Sequence, residues 1–198
     1  MTKIIGLTGG IGSGKTMVAK YMESLGIPVY ISDDEARKIM NSDEVCDAVK
    51  KEFGTEVFDS NNLNREKLAQ LVFKNSEKLD KLNKIVHPLV KKHFDHWVEL
   101  NKNAQFVVKE AAILFESDSY KYCDAIITVT SPVETRIQRV IKRDKSDRES
   151  VLKRIESQWT DEQRIAKSNF VINNISEKDT FNQTDQILNL LKNNQFLY

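Results

Sequence analysis

Five of the chain's seven glycines fall between Gly6 and Gly14, and Lys15 and Thr16 follow the last of them. A stretch so poor in Cβ atoms is a weak helix or strand interior, because glycine loses the most conformational freedom on ordering. It is well suited to laying backbone N–H groups against an anion, since no side chain stands in the way. Gly9-Gly10-Ile11-Gly12-Ser13-Gly14-Lys15-Thr16 matches G-x-x-x-x-G-K-[ST] in full. Ile4-Ile5-Gly6-Leu7 before it reads as a strand. Lys15 to Leu25 after it turns helical, with Val18, Met22 and Leu25 on one face. Strand, glycine loop, helix is the context this motif requires. The loop from Gly10 through Ile11, Gly12, Ser13 and Gly14 is expected to cradle a nucleotide's phosphates at the positive end of the helix. Lys15 would reach the terminal phosphates, and the Thr16 hydroxyl would help hold Mg²⁺.

The rest of the chain repeats the alternation. Gly26 ends the first helix, and Pro28-Val29-Tyr30-Ile31 reads as strand two. From about Asn41 to Asn101 the pattern is polar and helical, with no convincing strand. Phe106 to Val108, Ala125 to Val129 and Phe170 to Ile172 give strands three, four and five. Helix starts are expected at Ser131 with Glu134, Ser146 with Glu149, Thr160 with Gln163 and Thr180 with Gln183, each a capping-box spacing. The last helix would run from about Thr180 to Asn194. Strands alternating with helices indicate a mostly parallel sheet covered on both faces.

Two classes of phosphate-binding protein compete for this layout. A nucleotide switch needs D-x-x-G after a strand, and the residues three before Gly26 and Gly54 are Glu23 and Lys51. A kinase needs an acid near the transferred group and cations covering it. Asp33 follows strand two directly, at the strand end where parallel sheets bind ligands. Asp33 is read either as a general base or as the cap of the next helix, and both remain open. Glu110 just past strand three could orient a metal-bound water. Arg136, Arg139 and Arg143 recur at i, i+3 and i+7 on one helix, ahead of the polar break Arg143-Asp144-Lys145-Ser146-Asp147. They are either a solvated face or the arms of a hinged lid over about 136–160.

Bulk properties remove other classes. With 30 basic and 29 acidic side chains there is no basic excess of the kind nucleic-acid binders use. No apolar run approaches the length that spans a bilayer. The N-terminus lacks the pattern of a signal peptide. The two cysteines, Cys46 and Cys123, form no C-x-x-C pair, and a cytoplasmic setting is expected. His93 and His96 lack further ligands at metal-binding spacing, while Trp97 and Trp159 read as packing residues.

Over nearly its whole length the sequence resembles the dephospho-CoA kinase family. The likeness is carried by Leu7-Thr8-Gly9-Gly10-Ile11-Gly12-Ser13-Gly14-Lys15, by Asp33 with Ala36-Arg37, and by His87-Pro88-Leu89. It continues in Leu114-Phe115-Glu116, in Arg139 with Arg143-Asp144, and in Val171-Ile172 with Asn174. The chain departs from the family at Ala111-Ala112, where Val-Pro is frequent, at Glu110 for a frequent aspartate, and at Asn173 for another. The resemblance implies an α/β fold like that of the P-loop nucleoside-monophosphate kinases. It has three layers, with a five-stranded parallel sheet, a helical acceptor-binding insertion at about 41–101 and a lid. The core would be 1–40 and 102–198 of a single kinase domain. The implied reaction uses ATP and Mg²⁺ to phosphorylate the ribose 3′-hydroxyl of dephospho-CoA. Asp33 would be the general base, with Arg37, His87 and Leu114 on the acceptor, and Arg139, Arg143 and Asn174 on ATP. Taken alone, His87 before Pro88 reads as a turn between two helices. A monomer or weak homo-oligomer is expected. Alternatives are another small-molecule kinase, acting on a nucleoside monophosphate or a sugar acid, and a nucleotide-sensing module.

Overall fold

A computed structural model describes residues 2–60, 62–72, 75–193 and 195. It divides into two compact units, one running to Ile31 and resuming at Asn101, the other spanning Ser32–Leu100.

The first unit is built on strands β1 (Lys3–Thr8), β2 (Val29–Ile31), β5 (Phe106–Glu110), β6 (Ala125–Thr130) and β7 (Phe170–Asn173). All the pairings are parallel, in the order β2-β5-β1-β6-β7. The sheet is therefore the five-stranded parallel one expected, with the strand that feeds the glycine loop in the middle. Parallel strands in such a sheet are covered on both faces, and their side chains divide accordingly. Ile5 and Leu7 join Val108, Ile127, Val129 and Ile172 in a core with Val18, Ala19 and Met22 of helix α1 (Lys15–Ser24). Ile187, Leu188 and Leu191 of helix α9 (Glu177–Lys192) complete it. Gly6 faces the other way, where an added Cβ would meet the Leu114 side chain at 2.7 Å. There Leu114, Phe115, Ala111 and Ile126 form a separate cluster, with Trp159 lying nearly parallel to Phe115 at 5.2 Å between ring centroids. Trp159 is a packing residue, as its sequence context suggested.

Helix boundaries depart from the sequence reading in several places. Leu25 does not join the buried stripe of α1; it is the C-cap and half exposed. Helix α6 (Val133–Asp144) starts after Pro132 with no side-chain cap. Ser131 lies one residue before the N-cap, and its hydroxyl is turned elsewhere, donating to the Asn174 carbonyl at 2.9 Å and accepting from Arg139 at 3.3 Å. Helix α7 (Arg148–Glu156) is capped by Asp147 instead of Ser146. Helix α8 (Asp161–Ile165) carries the expected Thr160–Gln163 capping box. α9 begins a turn earlier than expected, with Ser176 accepting from the Asp179 N–H. Thr180 is thus inside the helix, and its hydroxyl donates to the Ser176 carbonyl at 2.6 Å. The expected end at Asn194 lies outside the described residues.

The second unit contains α2 (Ser32–Ile39), α3 (Asp43–Phe53), α4 (Arg65–Val72) and α5 (Ser76–Leu100). It also has a two-stranded antiparallel pair, β3 (Phe58–Asp59) and β4 (Asn62–Leu63), where no strand was expected. Its core is Ile39, Val45, Val49, Phe53, Leu68 and Val72, with Leu82, Val86 and Leu89 from α5 packed against them. α5 runs unbroken through Pro88, so His87 sits within a helix and not in a turn between two.

Candidate active site

The glycine loop lies between β1 and α1 and is shaped as much from outside as by any ligand. Gly12 and Gly14 have φ of 78° and 98°, the left-handed region in which glycine alone is unstrained. At Gly12 an added Cβ would lie 2.5 Å from the Arg136 carbonyl oxygen, and at Gly14 one would lie 2.0 Å from Asn174 Nδ2. Helix α6 and the residue following β7 therefore press directly on the loop backbone.

These neighbours also orient its peptides. Arg136 Nε donates to the Ile11 carbonyl at 2.9 Å. Asn174 Nδ2 donates to the Ser13 carbonyl at 2.7 Å. Arg139 is shared more loosely, at 3.4 Å from each of the Gly12 and Ser13 carbonyls. Three consecutive carbonyls are thus each met by a donor from α6 or from Asn174. In a planar trans peptide the next N–H points the opposite way, so the amides of Gly12 and Gly14 face away from these donors. The Ser13 amide is used within the loop, donating to the Gly10 carbonyl at 3.1 Å. Together with the first turn of α1, the loop presents backbone donors to an anion, reinforced by the positive end of the helix dipole.

Beside the loop, Lys15 Nζ lies 4.0 Å from Glu110 Oε1, and both side chains are buried. The sheet register produces this approach, since Glu110 stands opposite Leu7 on the neighbouring strand. A buried cation at the start of α1 and a carboxylate at the carboxyl end of β5 suit a polyphosphate and its counter-cation. Thr16 is exposed in the first turn of α1. A carboxylate and a hydroxyl are the hard oxygen donors Mg²⁺ takes when phosphates and water complete its shell.

Arg136 reaches further. Fully buried, its guanidinium pairs with Asp161 at 3.1 Å. Asp161 also receives the Thr130 hydroxyl at 2.5 Å and Arg164 at 3.3 Å. Arg164 continues to Glu116 at 3.3 Å. Burial pulls the Arg164 pKa below the usual arginine value, opposed by Glu116 and Asp161. The charges alternate in sign along this chain, as buried ions must if they are to stay ionised.

The loop residues, Lys15, Glu110, Arg139 and Asn174 all belong to this one unit and gather around the end of β1. Asn174 is buried behind the loop. Arg143 is exposed in the last turn of α6 and bonded to its neighbour Asp144 at 2.6 Å. Asp144 also takes Arg154 of α7 at 2.8 Å, and the two arginines hold its carboxyl well below the usual range. Leu114, implied as an acceptor contact, has no exposed surface and packs under Gly6. Its position makes it a support of β1. The remaining residues lie in the second unit. Asp33 is exposed in the first turn of α2, and Arg37 pairs with Asp34 one turn along at 3.0 Å. His87 is on an exposed face of α5.

Comparison with known proteins decides the family. The dephospho-CoA kinase family model matches residues 3–179. The chain belongs to the dephospho-CoA kinase family. The dephospho-CoA kinase of Bacteroides fragilis strain YCH46 is 40 % identical over 98 % of this chain and 92 % of its own length. A crystal structure of a Thermus thermophilus protein superposes with a TM-score of 0.85 at 31 % identity, covering 94 % of this chain and 96 % of that one. The dephospho-CoA kinase of Campylobacter jejuni shares the fold, with a TM-score of 0.75 at 24 % identity over 98 % of this chain and 100 % of that one. The P-loop kinase architecture expected for this family is the one found.

Within that family fold, sequence reasoning missed the part played by Arg136. Its spacing groups it with Arg139 and Arg143 as an arm of a lid, whereas it is a buried clamp on the loop. A signal was present: Val140 lies four residues on and Ile137 next door, so Arg136 shares the stripe by which α6 is buried. Gln158, whose side chain accepts the Ile11 amide at 2.9 Å, escaped sequence reasoning altogether. No local pattern points to it, because its partner lies 147 residues away.

Proposed function

We propose that this protein transfers the γ-phosphoryl group of ATP to the ribose 3′-hydroxyl of dephospho-CoA, giving coenzyme A and ADP. The observation that carries the reading is the family match, running from β1 into α9, on a chain whose glycine loop has its Ile11 and Ser13 carbonyls held by Arg136 and Asn174, with the Gly12 and Gly14 amides turned away from those donors. Loop amides and the start of α1 hold the phosphates without rearrangement, and Lys15 adds a charge where negative charge accumulates during transfer. Thr16 and Glu110 would hold Mg²⁺, which when bound neutralises phosphate charge and fixes the orientation of the polyphosphate.

Asp33 is assigned the proton of the attacking hydroxyl. It follows β2 with one residue between, at the strand end where parallel sheets place their ligands. Arg37 and His87 are assigned to the acceptor, whose phosphates and adenine offer partners for a guanidinium and an imidazole. Arg139 contributes positive charge next to the loop, and Asn174 acts on ATP by fixing the Ser13 peptide. Arg143 is assigned to a lid formed by α6, α7 and the turn between them, closing over the phosphates and excluding water. A cytoplasmic monomer or weak homo-oligomer suits these substrates. Among the described residues no helix is long and apolar enough to cross a membrane.

The test is an acceptor panel incubated with ATP and Mg²⁺, comprising dephospho-CoA, nucleoside monophosphates and sugar acids. Preferential consumption of dephospho-CoA is expected. Preference for another acceptor would make the chain a different small-molecule kinase, and nucleotide binding without transfer would make it a sensor.

A further inference from the structure

We infer that Gln158 is a positioning residue of the nucleotide site, acting through the peptide groups of Ile11; this inference builds on the phosphate-binding reading above. Ile11 is the only residue with a side chain between Gly9 and Gly12, and it is fixed at three points. Its amide donates to Gln158 Oε1 at 2.9 Å, and its carbonyl accepts from Arg136 Nε at 2.9 Å. Its side chain packs into the apolar cluster between α6 and α7, against Ile137, Val140 and Val151.

The consequence follows from peptide geometry. The Gly10–Ile11 peptide carries two groups, the Gly10 carbonyl and the Ile11 amide. The carbonyl receives the Ser13 amide and closes the turn, while the amide is held by Gln158. Only the Gly10 side of this peptide is glycine, and there rotation meets little steric resistance. Without Gln158 the Ile11 amide loses its acceptor, and only the turn bond from the Ser13 amide holds this peptide. The Gly12 and Gly14 amides that follow it are then less firmly placed for an anion. Gln158 thus holds the loop peptide in its native orientation, and does so from outside the donor array. A neutral carboxamide is well matched to this position, because it accepts a hydrogen bond without placing a negative charge beside the polyphosphate. Its location just past α7 also ties the loop's geometry to the end of that helix, in addition to the apolar tie through the Ile11 side chain.

Two variants separate this role from a merely structural one. Gln158→Met keeps the length and bulk of the side chain but removes the acceptor. Gln158→Glu keeps an acceptor. ATP and dephospho-CoA kinetics, thermal unfolding and hydrogen exchange at the Ile11 amide are measured for each and for the wild type. For Gln158→Met the KM for ATP should rise about five- to tenfold, the equivalent of one lost hydrogen bond. The kcat and the KM for dephospho-CoA should stay within about twofold, as expected when uniform binding is lost. Exchange at Ile11 should accelerate in this variant, while Gln158→Glu retains the slow exchange of the wild type. The inference is overturned if Gln158→Met leaves the ATP KM or the Ile11 exchange unchanged. It is equally overturned if the KM change comes with a comparable fall in kcat and unfolding temperature. Failure of the wild-type protein to bind ATP would remove the phosphate-binding reading itself, an outcome visible before any variant is compared.

Discussion

The Asn174 side-chain amide sits 2.7 Å from the Ser13 carbonyl, in the space a Cβ on Gly14 would need. One side chain thereby sets the direction of a loop peptide and forbids a side chain at the following residue. Gly14 is also the N-cap of α1, with φ 98°. Gly14→Ala therefore combines left-handed strain, worth about 1–2 kcal/mol, with displacement of Asn174. A lower unfolding temperature and loss of most ATP binding are expected, measured by calorimetry and equilibrium titration. An alanine variant that binds ATP as well as the wild type would mean that Asn174 can withdraw without consequence.

Lys15→Met should bind ATP several-fold more weakly and lose about 10²- to 10³-fold in kcat, the usual effect of removing one preorganised donor to developing charge. Equilibrium titration reports the first effect and single-turnover measurements report the second.

Asp33→Asn should leave ATP affinity within about twofold and lower kcat by about 10²- to 10⁴-fold, the range spanned by general-base catalysis. Near-normal turnover would return Asp33 to a structural role in the first turn of α2, where acidic residues favour the positive helix end.

The starts of α6 and α7 carry an acid-sensitive pair. Arg148 grips Glu134 through two bonds of 2.7 and 2.9 Å and pulls its pKa down to about 2. A depressed carboxylate supports the fold above its ordinary, unfolded pKa and withdraws that support as pH falls through the folded value. The window here runs from the ordinary carboxylate range, near 4.3, down to about 2. Arg148→Met should raise the Glu134 pKa towards the ordinary carboxylate range, with the Gln138 amide still holding it down in part, as read by carboxyl NMR. It should change global stability little, because the pair is solvent-exposed.

The glycine loop and the five strands of the main sheet were readable because their signals are local. Glycine spacing, short apolar runs and the return of helical periodicity all lie within a few residues of what they specify. The helix starts were not, where a local pattern met a distant partner. Ser131 has the sequence of a cap, but the Asn174 carbonyl, 43 residues on, takes its hydroxyl. The three arginines of α6 share a spacing but occupy three environments, with Arg136 buried, Arg139 half-buried and Arg143 exposed. Their fates depend on Asp161, on loop carbonyls and on Asp144, and spacing along one helix carries none of that. His87-Pro88 has the look of a helix break, because proline removes a donor and crowds the preceding turn. The apolar contacts of Leu82, Val86 and Leu89 with the core of their unit hold α5 together across it.

The line of alternating ions from Arg136 through Asp161 and Arg164 to Glu116 limits how this protein can vary. Deleting Asp161 takes a carboxylate from both buried arginines, a change of the kind that costs about 3–5 kcal/mol, whereas exchanging a whole pair for apolar residues of matching volume can be nearly neutral. Arg136 has a second obligation to the Ile11 carbonyl, so even a volume-matched swap there disturbs ATP. In a library screened for growth on this enzyme alone, Arg164 and Glu116 should accept replacement as a couple, while Arg136 tolerates neither single nor paired exchange. Two ends of one ionic network would then drift at different rates.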